Sequence, residues 1–391
     1  MTLAVRDDGL VRGLLEARPE RFARVLERPE ALRVQILLSL PDAGGGTIST
    51  HGWRVDAEYV YPASTIKTIA AVAAMNRLRA MAEDRRGVEP DLDTPLLVRP
   101  LRGRPGTDRL TSVRELVRRI ALVSDNPAHN HLYELLGHRG IHEAAWGDGG
   151  GGGGGGMGLS SVRHHHRLGD ARTREEHLIT AGVDLLTRRG VVSVPEGVSD
   201  LVVEPNTQPG VLVGERHVVD GRTVDGPMDF AFKNRVSMVD LHRLMLALVL
   251  PEHPAHGVRL GLHEHDRGVL LEAMAQLPRD STDPVLAVDQ FPDHFAKPML
   301  PGVRRVWPAG AGVGERDRGL VINKVGQAYG FSLDNAVIVD RVTGKWAAVT
   351  AAIYANSSGT VGADTYDYAS VALPFFVHLG ETVAALIHAR A

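Results

Sequence analysis

Ser64 and Lys67 stand three residues apart, so a hydroxyl and an amine share one face of any helix that contains them. Pro62 stops a helix before them, and a helical pattern runs on from Ser64 to about Ala82, which predicts that the pair opens a helix. A serine attacks a carbonyl only when a base takes its proton. A lysine whose pKa is depressed by burial or by a nearby cation can be that base. The N–H groups of a helix start would face the attacked carbonyl. Alone, Ser-x-x-Lys is better explained by a helix cap and a surface lysine. Here it is followed by Ser124-Asp125-Asn126 and then by Lys324-Val325-Gly326 on an expected strand. Lysine is also scarce: of 44 Lys plus Arg only Lys67, Lys233, Lys297, Lys324 and Lys345 are lysine, and two of these lie in the motifs. Arginine cannot lose its proton in a protein, whereas lysine can. These residue types suit acyl transfer through a serine ester.

Ser-x-x-Lys, Ser-Asp-Asn and a Lys-x-Gly triplet, in this order, resemble the class A β-lactamase-like serine hydrolases within the penicillin-recognising serine enzymes. The 60-residue step from Ser64 to Ser124 is the one usual in class A. The resemblance covers the opening helix and strand, residues 61–81, 111–137 and 237–250, and 324 to the end. It implies that Ser64 is acylated, that Lys67 is its base or proton relay, and that Ser124 passes a proton to the leaving nitrogen. Asn126 would bind the substrate amide and orient Lys67. Lys324 would supply positive charge toward Ser124 and the substrate carboxylate, and would keep Lys67 deprotonated. The backbone N–H groups of Ser64 and of Gln327, which follows Gly326, would form the oxyanion hole. No cofactor and no metal is implied.

The chain departs from that family twice. Val325 stands where a Thr or Ser hydroxyl usually meets the β-lactam carboxylate. No Glu-x-x-Leu-Asn loop follows Met157-Gly158-Leu159; the stretch reads Ser-Ser-Val-Arg-His-His-His-Arg-Leu. Glu175, Glu176 and Glu204 remain as candidate bases for deacylation. The expected substrate is a small amide or ester, a β-lactam by resemblance. The alternatives are a penicillin-binding, peptidase-like protein that deacylates slowly, and a non-catalytic binding module on the same fold.

The elements that must position these groups follow from periodicity. Residues 7–27 read as a helix, 32–40 as a strand with 47–60 continuing an antiparallel pair, and 111–121 and 124–136 as helices capped by Thr111 or Ser112 and by Asp125. Residues 190–236 read as loops or short hairpins and 237–250 as a strong helix. Residues 319–325, 334–341 and 345–354 read as strands, and 363–390 as a helix bent at Pro374. The expected fold is α+β, β-lactamase/transpeptidase-like: an antiparallel sheet drawn from both chain ends, with terminal helices and an all-helical lobe. Residues 1–60 and 317–391 would form the sheet lobe. Residues 61–316 would form the helical lobe, with a glycine-rich insertion at 147–158.

Composition bounds the rest. The 391 residues carry a net charge of −3, which advertises no nucleic-acid partner. No cysteine is present, which excludes disulfides, thiolate metal sites and a cysteine nucleophile. His164-His165-His166, His129, His131 and His263-Glu264-His265-Asp266 read as solvated rather than as metal ligands. Asp334-Asn335 reads as a turn. Arg99, Arg102 and Arg104 read as a solvated loop. No membrane span and a monomer are expected. The family resemblance implies a periplasmic or extracellular protein lacking its signal peptide, and a cytoplasmic one if Met1 is the true start.

Overall fold

A computed structural model describes the chain except residues 1–2, 43–45, 88, 102, 105, 108, 148–155, 170–172, 283–284, 311–316, 364 and 391. Most of the glycine run, and Arg102 with Pro105, lie outside the described residues. The first strand is β1 (Val5–Arg6). The apolar spacing over 7–27 then folds as two helices, α1 (Leu10–Glu16) and α2 (Pro19–Glu27). Pro19 opens the second, because its missing donor is tolerated only in a first turn. Next come β2 (Gln35–Pro41) and β3 (Ile48–Trp53), a 3₁₀ turn at Ala63–Ile66, and α3 (Lys67–Asp84). α4 (Val113–Val123) is capped by Ser112, and α5 (Asn126–Trp146) by Asp125. α5 is broken at Gly137, whose φ of 75° is non-helical. After the short strands of 179–229 come α6 (Met238–Val249), α7 (Glu264–Ala275) and α8 (Leu300–Val306). The chain ends with β4 (Gly319–Ala328), β5 (Phe331–Asp340), β6 (Trp346–Tyr354) and α9 (Leu373–Ala389). Pro374 starts α9 rather than bending it, with a π-helical turn at Tyr368–Ala372 before it.

The chain divides into two compact units, Met1–Thr65 with Pro205–Gly257 and Ala275–Ala391, and Ile66–Glu204 with Val258–Met274. The first unit holds a six-stranded sheet in the order β1-β3-β2-β6-β5-β4, antiparallel except where β1 meets β3. Both chain ends build it, as expected from the sequence, and the fold is α+β. β6 lies between β5 and β2, with Thr350 opposite Leu37 and Asn335. One face buries Leu15, Phe22, Ile36, Leu38, Ile338, Val349, Phe375, Phe376 and Leu379 with α1, α2, α8 and α9. Each such side chain contributes about 1.5–3 kcal/mol when buried. Residues 205–257 and 275–316, expected in the helical lobe, fall in this unit, because α6 packs on β5 and β6, and α8 on β4 and α9. By length and composition alone Tyr368–Ala389 is long and apolar enough to cross a membrane. Its Phe375, Phe376, Leu379, Val383 and Ile387 are buried in the sheet core.

The second unit packs α3 against α4 and α5, with Ala70, Tyr133 and Ile141 at the contact. A three-stranded sheet joins Leu96–Val98, Val183–Thr187 and Gly190–Val194.

Candidate active site

Within the first unit the 3₁₀ turn presents Ser64 half-buried, directly after Ala63, whose φ is +46°. A non-glycine residue held there costs on the order of 1 kcal/mol, and such outliers gather at functional sites. Thr65 ties the turn down: its Oγ1 donates to Pro62 O at 2.6 Å and its N–H to the same oxygen at 3.1 Å. The edge strand β4 runs against this turn. A Cβ on Gly326 would lie 2.8 Å from Pro62 O and 2.9 Å from the nitrogens of Ser64 and Thr65. Only glycine permits that approach. Lys324, Val325 and Gly326 are buried and Gln327 is exposed. Lys324 Nζ donates to Val325 O at 2.7 Å. The structure thus brings Ser64 together with Gly326, one residue before Gln327.

Two buried polar groups brace the motif strand. Lys324 pairs with Asn335, which donates to Leu241 O at 2.8 Å and accepts from Thr350 Oγ1 at 2.7 Å. Thr350 Oγ1 therefore accepts from His242 Nδ1, 2.8 Å away, and His242 Nε2 accepts from Ser39 Oγ at 2.7 Å. Burial holds this imidazole neutral, its pKa pushed down to about 3. Separately, Lys297 Nζ donates to Asn323 Oδ1 at 2.9 Å, and Asn323 Nδ2 donates to Asp334 Oδ1 at 2.7 Å. Burial pushes Asp334 up to about 7 and Lys297 down to about 8. Asp334 and Asn335 are thus buried mid-strand residues, not the turn that the sequence suggested.

Within the second unit Lys67 is fully buried. Its Nζ donates to Ser124 O, to Asn126 Oδ1 at 2.7 Å and, at 3.5 Å, to Ser124 Oγ. Burial pushes its pKa down to about 7, against the opposing pull of the Asp125 carboxylate. Burial is therefore what lowers it. A neutral amine has two N–H bonds and one lone pair. Only the ammonium can donate to all three; in the neutral amine, donation to Ser124 O and Asn126 Oδ1 uses both bonds, the long contact with Ser124 Oγ is no longer a donation, and the lone pair is left for a proton. Ser124 ends α4 in the left-handed conformation, φ 56° and ψ 35°. Asp125 then caps α5, accepting from Ala128 N at 2.8 Å and from the Arg119 guanidinium. Cap and ion pair together fix Ser124 and Asn126 on either side.

Sequence reasoning missed the face of α5 that begins at Asn126. Asn130 clamps Leu168 through both backbone groups, at 2.9 and 2.8 Å. Glu134 is buried, bonded to Arg167 and to Ala181 N. The signal was the polar i, i+4, i+8 series in a buried helix. Gly169, held at φ +86°, would set a Cβ 3.4 Å from Asn126 Nδ2. Of the three candidate deacylation bases, Glu176 closes a capping box with Thr173, while Glu175 and Glu204 are exposed. His164, His165 and His166 are buried rather than solvated. His165 N donates to His142 Nε2 at 3.0 Å. Among the described residues no group of three or more His, Cys, Asp or Glu is placed to hold a metal ion.

The sequence profile of the β-lactamase enzyme family matches residues 50–174, which contain Ser64, Lys67, Ser124 and Asn126. No curated protein matches the chain. Among solved structures the chain is similar to PBP-A, at 14% identity over 100% of this chain and 99% of that one, with a TM-score of 0.48. It is also similar to a β-lactamase from Desulfarculus baarsii DSM 2075 (17% identity, 95% and 97% covered, TM-score 0.47). A third is a β-lactamase from Xanthomonas campestris pv. campestris str. ATCC 33913 (18%, 96% and 98%, TM-score 0.47). Residues 50–174, which carry the Ser-x-x-Lys and Ser-Asp-Asn groups, are thus the part of the chain that is similar to the β-lactamase enzyme family.

Proposed function

We propose that the protein is a serine hydrolase of the class A β-lactamase-like kind that works through an acyl-enzyme on Ser64. The observation that carries this reading is Lys67, a buried amine with its pKa near 7 and both N–H bonds of its neutral form engaged by Ser124 and Asn126. One turn along the chain, Ser64 gives its proton to that lone pair as its oxygen attacks an amide or ester carbonyl. The N–H groups of Ser64 and Gln327 take the oxyanion; a donor of this kind supplies on the order of 3 kcal/mol. Ser124 relays the proton to the leaving nitrogen and Lys324 faces the substrate carboxylate. Water then hydrolyses the ester. A β-lactam is the reference substrate.

Slow deacylation is the second reading, and the placement of the three glutamates favours it. A capping side chain and two exposed ones offer no positioned base, and without a base water attack is slow. Intact-protein mass spectrometry after incubation with a fluorescent penicillin and, separately, an activated ester tests both, with Ser64→Ala as control. A lasting adduct on the wild type alone supports acylation with slow release. Turnover without an adduct supports a working hydrolase. Neither adduct nor turnover overturns the acyl-enzyme and leaves a binding module.

A further inference from the structure

We propose that Lys233 and Tyr329 form a specificity element that recognises an anionic group on the acyl side of the substrate. The proposal rests on the acyl-enzyme reading for the direction in which the substrate lies. All the groups involved belong to the sheet-bearing unit. Gly326 abuts the Ser64 turn, so the attacked carbonyl lies at Gly326–Gln327. Lys324 stands on one side of that point. Tyr329 stands two residues beyond Gln327 on the other, roughly 7 Å along an extended chain. An acyl group leading away from the carbonyl along β4 runs toward Tyr329.

Two features of this corner bear on a ligand. Tyr329 and Gly330 join Ala328 to Phe331 in a two-residue hairpin turn, with φ of +55° and +87°. Such turns favour Asn, Asp or Gly at the first position, and a bulky side chain there is an outlier. The chain tolerates a tyrosine and uses its ring: Tyr329 meets Tyr61 and Phe230 edge-on, each with centroids 5.4 Å apart. Lys233 Nζ lies 4.8 Å from the Tyr329 centroid and 5.6 Å from that of Phe230, and donates to Tyr329 Oη at 3.4 Å.

The second feature is the lysine itself. It is one of only five in the chain, it is half-buried, and no carboxylate pairs with it among the described residues. Its anchor is firm, because Tyr59 Oη donates to Asn234 O at 2.8 Å and Lys233 N to Phe230 O at 3.0 Å. A cation held over two rings, beside a phenol and without a counter-charge, fits an incoming carboxylate, with Tyr329 Oη as a further donor. It would also supply a second anchor in a chain that lacks the hydroxyl at Val325.

The test compares benzylpenicillin with its α-carboxy derivative, which differ only by a carboxylate on the acyl side chain. Equilibrium binding to the Ser64→Ala protein is measured by ligand-observed NMR titration, so the readout does not depend on acylation. The carboxylated probe is expected to bind about tenfold tighter. Lys233→Met, which keeps the apolar stem, should erase the preference. Tyr329→Asn suits the turn but gives up the ring contacts with Tyr61 and Phe230, so it should weaken the preference, and a melting temperature confirms that the variant is folded. Equal affinity, no detectable binding of either probe, or a preference that survives Lys233→Met overturns the proposal. A preference that is present while the wild type forms no Ser64 adduct leaves the element standing and removes the acyl-enzyme reading instead.

Discussion

Gly326 and Ser64 approach so closely that a side-chain carbon on the first would lie 2.9 Å from the backbone nitrogen of the second. Gly326→Ala must therefore push the motif strand away from the serine turn. Acylation is expected to fall by about 10²–10³-fold, the loss that follows from removing one oxyanion donor. Overpacking should cost a further 1–3 kcal/mol of stability, roughly. Stopped-flow acylation with a chromogenic β-lactam, together with thermal denaturation, checks both. A variant that acylates at the wild-type rate would exclude this geometry from the reaction.

The proton balance at Lys67 sets a pH profile. With its pKa near 7 the amine is charged below that pH and neutral above it, so the base is lost as the solution is acidified. The second-order acylation rate should fall about tenfold per pH unit below 7 and level off above it. Lys67→Met should abolish acylation yet hold or raise the melting temperature, because it removes an amine buried at a cost. A profile that is flat between pH 5 and 8 would contradict the assignment.

Val325 is 8% exposed, and threonine has nearly its shape. Val325→Thr restores a hydroxyl that the substrate carboxylate can engage. A hydrogen bond to a charged group is worth about 1.5–3 kcal/mol, so penicillin acylation should quicken by roughly tenfold or more. An unchanged rate constant would place the carboxylate elsewhere.

Acid should unfold the unit that carries Lys67. Burial, with help from neighbouring histidines and arginines, pushes His138 and His164 down to about 4 and His142 to about 3, and drives His165 and His166 well below the usual range. These rings are neutral in the folded state and charge in the unfolded chain below pH about 6.5. The unfolded state then binds more protons, so stability is full above 6.5 and is lost as pH falls toward 4. Each histidine removes about 1.4 kcal/mol per pH unit across that window. Melting temperatures measured from pH 7 to 4 should drop steeply, and His165→Phe should flatten the slope.

The elements around the chemistry were legible where local signals are strong. Ser112 and Asp125 announced two helix starts, and the three C-terminal strands were read to within a few residues. The strand carrying Lys324 runs on to Ala328 because Tyr329-Gly330, not a longer loop, makes the turn. The histidines were misread because three adjacent imidazoles in a loop look solvated. Contacts such as that of His165 with His142, distant in sequence, decide otherwise. The burial that lowers the pKa of Lys67 was not legible, since burial of a single amine leaves no trace in spacing.

The sheet sets a schedule for synthesis. β2 leaves the ribosome roughly 300 residues ahead of β6, the strand it must pair with. At about 5–20 residues per second that is a wait on the order of tens of seconds. Throughout it, Ile36, Leu37, Leu38 and Leu40, all buried in the finished protein, lack their neighbours. The amino-terminal hairpin is then an apolar edge open to the wrong partner. A nascent chain stalled before Trp346 should therefore bind holdase chaperones at this segment and let go once the last strands emerge.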